Sequence, residues 1–219
     1  MNSELLITSD GSHTLFVPEI DECYHSSHGA IQESRHIFIE AGLKQCSKTN
    51  IRILEVGFGT GLNALLAYAE AEKAGKRIHY TTLEKFPLQS DKAFLLNFPQ
   101  LIDENLNAVF ETMHLSNWNE LQNISPFFVL EKLETDFTTY NLTGKYDVIF
   151  FDAFSPEKQP EMWTQEQFEK IAAVCNPEAI LTTYSAKGIV RRALQSDGFT
   201  VERLPGPPGK REILRGIFE

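Results

Sequence analysis

One stretch governs what this chain can fold into: Ile51 to Asn63, which reads I-R-I-L-E-V-G-F-G-T-G-L-N. Ile51, Ile53, Leu54 and Val56 make a β-branched apolar run suited to a buried parallel strand, and a helical pattern begins near Leu62. Between them stand Gly57, Gly59 and Gly61. Glycines at alternate positions admit positive φ and close approach of a ligand, while the new helix aims its free N–H groups at that ligand. The spacing differs from the dinucleotide G-x-G-x-x-G, and no G-K-S/T follows to build a phosphate loop. Glu55, at the strand's mouth, would repel a pyrophosphate and attract a cationic ligand or a bridging water, which favours S-adenosylmethionine over a nicotinamide dinucleotide. Glu55, Gly57, Gly59, Gly61 and Asn63 are therefore candidate cofactor contacts, against the plain alternative of a turn that merely closes a βα unit.

A chain of 219 residues, 42% hydrophobic and 23% charged, can bury one substantial core and is short for two. We expect residues 1–45 to form an N-terminal extension of hairpin and helix, ahead of one α/β domain over 46–219. No basic-then-apolar leader opens the sequence and no apolar run approaches the roughly 20 residues of a membrane span, so the expectation is a cytoplasmic protein with no membrane partner. Cys23, Cys46 and Cys175 are odd in number and lack C-x-x-C, and His25 and His28 have no acidic or cysteine partner at ligand spacing; we expect buried thiols and no metal. The net charge of −10 is uneven, with −13 up to Tyr184 and +3 from Ser185 onward. That balance argues against sequence-blind binding of long nucleic acid and confines any basic footprint to the C-terminal part, where a solvated surface is the alternative.

In chain order, a hairpin is expected around Asp10-Gly11 within Leu5–Tyr24, then a helix on Ile31, Ile37, Phe38 and Ala41. The helix from Leu62 should end at Gly75. Ile78–Leu83 reads as the next strand, and Glu84 at its tip, 23 residues after Gly61, is placed for a ribose diol. Pro87 should open a helix to about Asn97. Residues 103–143 are poorly readable; Asp136 there faces an adenine edge or caps a turn. Tyr146–Phe151 is apolar on both faces, as a central parallel strand should be, and ends at Asp152 in the same crevice as the glycine turn. Thr164 and Gln167 suggest a capping box for a helix to Cys175 that Pro177 stops, Ala179–Tyr184 a strand, and Ser185 the cap of a helix through Leu194. Phe199–Leu204 and Glu212–Phe218 suit an antiparallel pair at the sheet edge. The order is that of a class I methyltransferase: a Rossmann-like, mostly parallel seven-stranded sheet with an antiparallel edge pair and a small N-terminal hairpin.

Methyl transfer from a sulfonium needs an in-line nucleophile in a site that excludes water. An alkylamine of pKa about 10 must first lose a proton. Asp152 could orient the amine and accept that proton, with Phe154 and Tyr184 as walls; a turn-capping aspartate and core aromatics are the structural alternatives.

Three segments carry a family resemblance. D-A-F-S-P-E-K-Q-P-E-M-W from Asp152 to Trp163, T-Y-S-A-K-G-I-V-R-R-A-L from Thr183 to Leu194, and G-K-R-E from Gly209 to Glu212 resemble the methyltransferase domain of MnmC-type tRNA wobble-uridine modification enzymes. The resemblance implies S-adenosylmethionine-dependent methylation of the aminomethyl group of 5-aminomethyl-2-thiouridine in a tRNA anticodon stem-loop. It implies that Glu55, Gly57, Gly59 and Glu84 hold the cofactor, Asp136 its adenine and Asp152 the amine, with Phe154, Pro156, Lys158 and Trp163 lining the nucleobase pocket. Lys187, Arg191, Arg192, Lys210 and Arg211 are expected on phosphate. The bifunctional members continue into a flavin-dependent oxidase; with the sequence ending at Glu219, the expectation is a stand-alone, MnmD-type enzyme acting beside a separate one that makes the amine. The runner-up is an aminopropyltransferase, since D-G-x-x-x-L-F-V-P-E-x-D-E-x-Y-H-S resembles the hairpin region of spermidine synthases; a third reading is a non-catalytic cofactor-binding subunit of an RNA-modifying complex.

Overall fold

The turn signal at Asp10-Gly11 acts as expected: β1 (Glu4–Ile7) and β2 (His13–Val17) pair antiparallel around it in the computed structural model, which describes residues 3–219. β3 (Glu22–Cys23) adds a third strand beside β2, too short to show a period-two pattern. α1 (Ala30–Ser34) widens into a π-helical turn over Arg35–Glu40, closed by Ala41 N donating to His36 O at 3.1 Å. β4 (Asn50–Val56), the glycine turn and α2 (Leu62–Ala74) follow, and Gly75 ends α2 in the left-handed conformation. β5 (Arg77–Glu84) comes next.

The helix expected from Pro87 is shorter and begins later. α3 (Ser90–Ala93) and α4 (Phe98–Ile102) flank Asn97, whose side-chain Oδ1 accepts from His13 N at 2.8 Å and whose Nδ2 donates to Gly11 O at 3.0 Å. Those bonds tie the N-terminal hairpin to the main fold at a break between the two helices. The unread section holds α5 (Asn107–Leu115), β6 (Leu121–Ser125) and β7 (Phe128–Glu134). Thereafter come β8 (Tyr146–Phe151), α6 (Gln165–Ala173), β9 (Cys175–Thr183), α7 (Gly188–Ser196), β10 (Phe199–Pro205) and β11 (Glu212–Phe218). Three local expectations are corrected. Thr164 makes no side-chain cap, Gln167 Oε1 being turned to Lys170 Nζ at 3.2 Å. Pro177 lies inside β9, at a register shift against β8, rather than after a helix. The residue before α7 is Lys187, two places beyond Ser185.

The main sheet has the order β10-β11-β9-β8-β4-β5-β7-β6, with β9, β8, β4, β5 and β7 parallel. It has eight strands among the described residues rather than seven. β6, the addition, pairs antiparallel with β7 at one edge and its L-Q-N-I-S carries too little alternation to be read. β10 and β11 close the other edge as the expected antiparallel pair. Tyr80, Phe128, Phe150 and Phe38 fill one face of the sheet; Leu54, Ile149, Phe151, Phe168 and Trp163 fill the other. Each such side chain contributes about 1.5–3 kcal/mol by leaving water. Leu15, Ile37 and Phe38 from the N-terminal extension share the first cluster with Ile51 and Tyr80, so extension and sheet have one continuous core. Connections run in opposite directions from β4, toward β5 on one side and β8 on the other, and this switch point opens a crevice at the carboxyl ends of both. No helix among the described residues is long and apolar enough to cross a membrane.

Candidate active site

The crevice is a cavity of about 530 Å³ whose floor is the glycine turn and whose rim carries Glu84, Asp136 and Asp152 from three strand ends. Backbone bonds hold those ends in register: Gly57 N donates to Leu83 O at 2.9 Å and Asp152 N to Val56 O at 3.0 Å. Gly57 has φ 96°, and a Cβ there would lie 2.7 Å from Asp152 O. Only glycine lets the β4 turn pass the β8 tip this closely.

Glu84 is held by two backbone donors, Gly59 N at 3.0 Å and Phe86 N at 2.9 Å. Its carboxylate keeps lone pairs toward the cavity, where hydroxyl donors can bind, and burial raises its pKa. Asp136 caps a turn, one of the two sequence alternatives. Its Oδ1 accepts from Thr138 N at 2.9 Å and Thr138 Oγ1 at 2.7 Å as a turn cap, yet the residue also lines the cavity. Lys85 at 2.7 Å, with Thr138, holds the Asp136 carboxyl down at about 2.

Glu55 stands elsewhere than expected. It is fully buried in β4, beneath the floor and not among the residues that line the cavity. Oε2 accepts from Thr82 Oγ1 at 2.7 Å, and burial pushes its pKa up to about 8. A largely neutral acid exerts little pull on a cation, which removes the electrostatic reason for placing Glu55 on the ligand. Glu55 Oε1 and Asn63 Oδ1 are both buried without a hydrogen-bond partner, and Asn63 adjoins Glu55.

Asn63 in turn donates from Nδ2 to Asp152 Oδ2 at 2.9 Å, linking α2 to the tip of β8. Burial pushes Asp152 up to about 7, with the Glu33 charge acting in the same direction and Asn63 and Lys210 opposing it. At neutral pH Asp152 is thus divided between acid and base, the condition for a group that exchanges protons with substrate. Aromatic rings enclose it. Tyr24 and Phe154 meet at 5.2 Å between centroids, and Tyr184 donates its hydroxyl to Ala153 O at 2.8 Å.

Of the substrate-side candidates, Phe154, Tyr184 and Lys210 line the cavity; Pro156, Lys158, Trp163, Lys187, Arg191, Arg192 and Arg211 do not. Trp163 is 2% exposed and supports the wall from behind, its Nε1 donating to Phe154 O at 2.8 Å and its ring packed on Tyr184. Lys158 pairs with Asp21 at 2.9 Å, and Lys187 pairs with Glu157. Arg192 and Arg211 are exposed, whereas Arg191 has a buried Nε without a partner. The three cysteines are free, and no group of three or more metal-ligating side chains is assembled among the described residues.

The site suits S-adenosylmethionine on these observations. Backbone without Cβ atoms makes the floor, a fixed carboxylate stands at the β5 tip facing the cavity, and acids outnumber bases on the walls, favouring a sulfonium. Comparison with known proteins agrees. Residues 128–219 match a family model described as S-adenosyl-L-methionine-dependent methyltransferase. The tRNA 5-methylaminomethyl-2-thiouridine biosynthesis bifunctional protein MnmC of Pseudomonas fluorescens (strain Pf0-1) is 34% identical over 220 residues, covering 90% of this chain and 32% of that protein. Its counterpart in Leptospira interrogans (serovar Lai) is 30% identical, covering 97% of this chain and 35% of that protein. The crystal structure of MnmC2 from Aquifex aeolicus superposes with a TM-score of 0.80 at 29% identity, covering 98% of this chain and 70% of that one. The chain is an S-adenosyl-L-methionine-dependent methyltransferase, similar over nearly its whole length to part of the MnmC proteins.

This methyltransferase spans about a third of the length of the curated relatives it matches. Spermidine synthase of Thermotoga maritima superposes with a TM-score of 0.57 at 11% identity, over 100% of this chain and 72% of that one, a likeness of fold alone. Sequence reasoning missed one wall altogether. Glu22, Tyr24, His25 and Glu33 line the cavity of the methyltransferase from the N-terminal extension. The E-x-Y-H run carried the signal, but nothing local in it tells that β3 and α1 fold back over the ends of β4 and β8.

Proposed function

We propose that this methyltransferase transfers the methyl group of S-adenosylmethionine to the side-chain amine of 5-aminomethyl-2-thiouridine at the tRNA wobble position, giving 5-methylaminomethyl-2-thiouridine. The observation that carries the reading is Asp152: a half-ionised carboxylate at the central strand tip, beside the glycine turn and walled by Phe154 and Tyr184. The curated relatives, whose name is 5-methylaminomethyl-2-thiouridine biosynthesis protein, support the substrate.

When bound, S-adenosylmethionine supplies a methyl carbon on a sulfonium, which departs as a neutral thioether. In this reading Glu84 holds the ribose, Asp136 lies by the adenine, and the N–H groups of the glycine turn meet the remainder. Asp152 keeps Oδ2 on Asn63 and turns Oδ1 to the substrate ammonium, accepting its proton as the nitrogen lone pair forms the new C–N bond. Transfer from an amine of pKa about 10 to an acid near 7 is uphill by about 4 kcal/mol. Desolvation of the ammonium against Phe154 and Tyr184 narrows that gap. Lys187, Arg191, Arg192, Lys210 and Arg211 meet the phosphates of the anticodon stem-loop. The aminomethyl group comes from a separate catalytic centre, and the reaction belongs in the cytoplasm with its tRNA. Residues 1–45 act as the extension that roofs the domain of 46–219.

A matched pair of tRNAs tests the reading. One carries an aminomethyl and the other a hydroxymethyl group at the wobble uridine; methylation of the first alone is expected, and methylation of both or neither refutes it.

A further inference from the structure

Asp152 is not the only carboxylate facing the amine end of the cavity. Glu33, from α1, lies on the same wall and is 9% exposed. Its Oε2 is fixed by Ser26 N at 2.8 Å, while its buried Oε1 is held by an ion pair. The group nearest that oxygen is the Lys210 ammonium, 3.1 Å away, which the turn between β10 and β11 delivers over the face of Tyr184 at 4.8 Å from the ring centroid. A primary ammonium on an alkyl stem therefore already rests against an aromatic ring and a buried carboxylate, inside the site where a primary ammonium is to react.

We propose that Glu33 and Asp152 together form a two-carboxylate seat that selects a primary alkylammonium, and that Lys210 fills this seat in the free protein until the substrate displaces it. The proposal rests on the function proposed above and adds a specificity residue to it. Two carboxylates in a water-poor pocket repel each other and need a cation between them. Lys210 supplies it from a turn that Pro207 and Pro208 stiffen, so that its release is a motion of the side chain. An uncharged hydroxymethyl group would leave Lys210 in place and Glu33 without a reason to release it.

The groups facing Asp152 give the test its sign. Glu33 of α1 raises its pKa, whereas Lys210 of the turn and Asn63 of α2 lower it; Glu55 of β4, Tyr80 of β5 and Tyr184 just after β9 are the other titratable neighbours. Removing Glu33 must move the acid limb of the rate profile to lower pH, and removing Lys210 must move it higher. A residue that only stabilises the fold would move neither.

The experiment measures kcat/KM from pH 5 to 9 with aminomethyl-uridine tRNA for wild type, Glu33→Gln and Lys210→Met. It also measures S-adenosylmethionine affinity and the competition of the free nucleosides 5-aminomethyluridine and 5-hydroxymethyluridine. The proposal expects wild type to prefer the amine at least tenfold, Glu33→Gln to lose that preference with unchanged cofactor affinity, and the two acid limbs to shift in opposite directions. Retained preference in Glu33→Gln, or limbs that do not separate, overturns the seat. If Glu33→Gln does not fold, Lys210→Met decides alone: an unshifted limb overturns the proposal. Wild type that methylates no such tRNA overturns the function itself, a result distinct from either failure.

Discussion

At the scale of single residues, the site depends on how burial divides two acids from their ordinary behaviour. Asp152→Asn keeps a polar partner for Asn63 but accepts no proton, so methyl transfer should fall by about 10²–10⁴ while S-adenosylmethionine affinity, measured by calorimetry, stays within a few-fold. In wild type, kcat/KM should climb as pH passes about 7, because the ionised Asp152 is the working form. Glu55 makes a different prediction. Its folded pKa of about 8 lies above the ordinary value of 4.5, so its contribution to stability is full below pH 4.5 and is lost as pH rises through 8. Glu55→Gln, neutral throughout, should therefore melt higher than wild type at pH 9 and no higher at pH 4; an equal melting temperature at pH 9 would show that Glu55 is not buried as an acid. The acid's chemistry was legible in the sequence as a charge before the glycine turn, whereas its burial was not, because depth beneath a loop depends on what β5 and α2 bring over it.

Among the elements, the β4 turn and the β8 tip form a single joint. Gly57→Ala places a Cβ 2.7 Å from Asp152 O at a φ of 96°, so it should destabilise by more than about 1 kcal/mol in urea unfolding and lower activity together with it. Thr164→Ala should cost less than about 0.5 kcal/mol, since the threonine side chain caps nothing; a loss near 1 kcal/mol would restore the capping box that the geometry denies. The strands β4, β5 and β8 could be read because buried parallel strands are long, β-branched and apolar on both faces. β3 and β6 could not, being two and five residues with mixed exposure, held by their neighbours rather than by their own pattern. The same holds for the missed wall: Tyr24 acts on the cavity through its contact with Phe154, a pairing across 130 positions that no window of sequence displays.

For the molecule as a whole, an acidic cavity stands beside a C-terminal part of net charge +3, to which the proposed function assigns the phosphates. Lys187→Ala with Arg192→Ala should weaken tRNA binding and flatten its dependence on salt by about 0.7–0.9 in log–log slope per lost phosphate contact, with cofactor affinity unchanged. An unaltered slope would remove α7 from the interface. The measurement that tests the central claim most directly is chemical. Purified protein is incubated with methyl-labelled S-adenosylmethionine and tRNA bearing 5-aminomethyl-2-thiouridine, the RNA is digested, and the labelled nucleoside is identified by mass spectrometry. The account predicts one label per tRNA, on the side-chain nitrogen of the wobble uridine; unlabelled RNA, or label on any other atom, would contradict it.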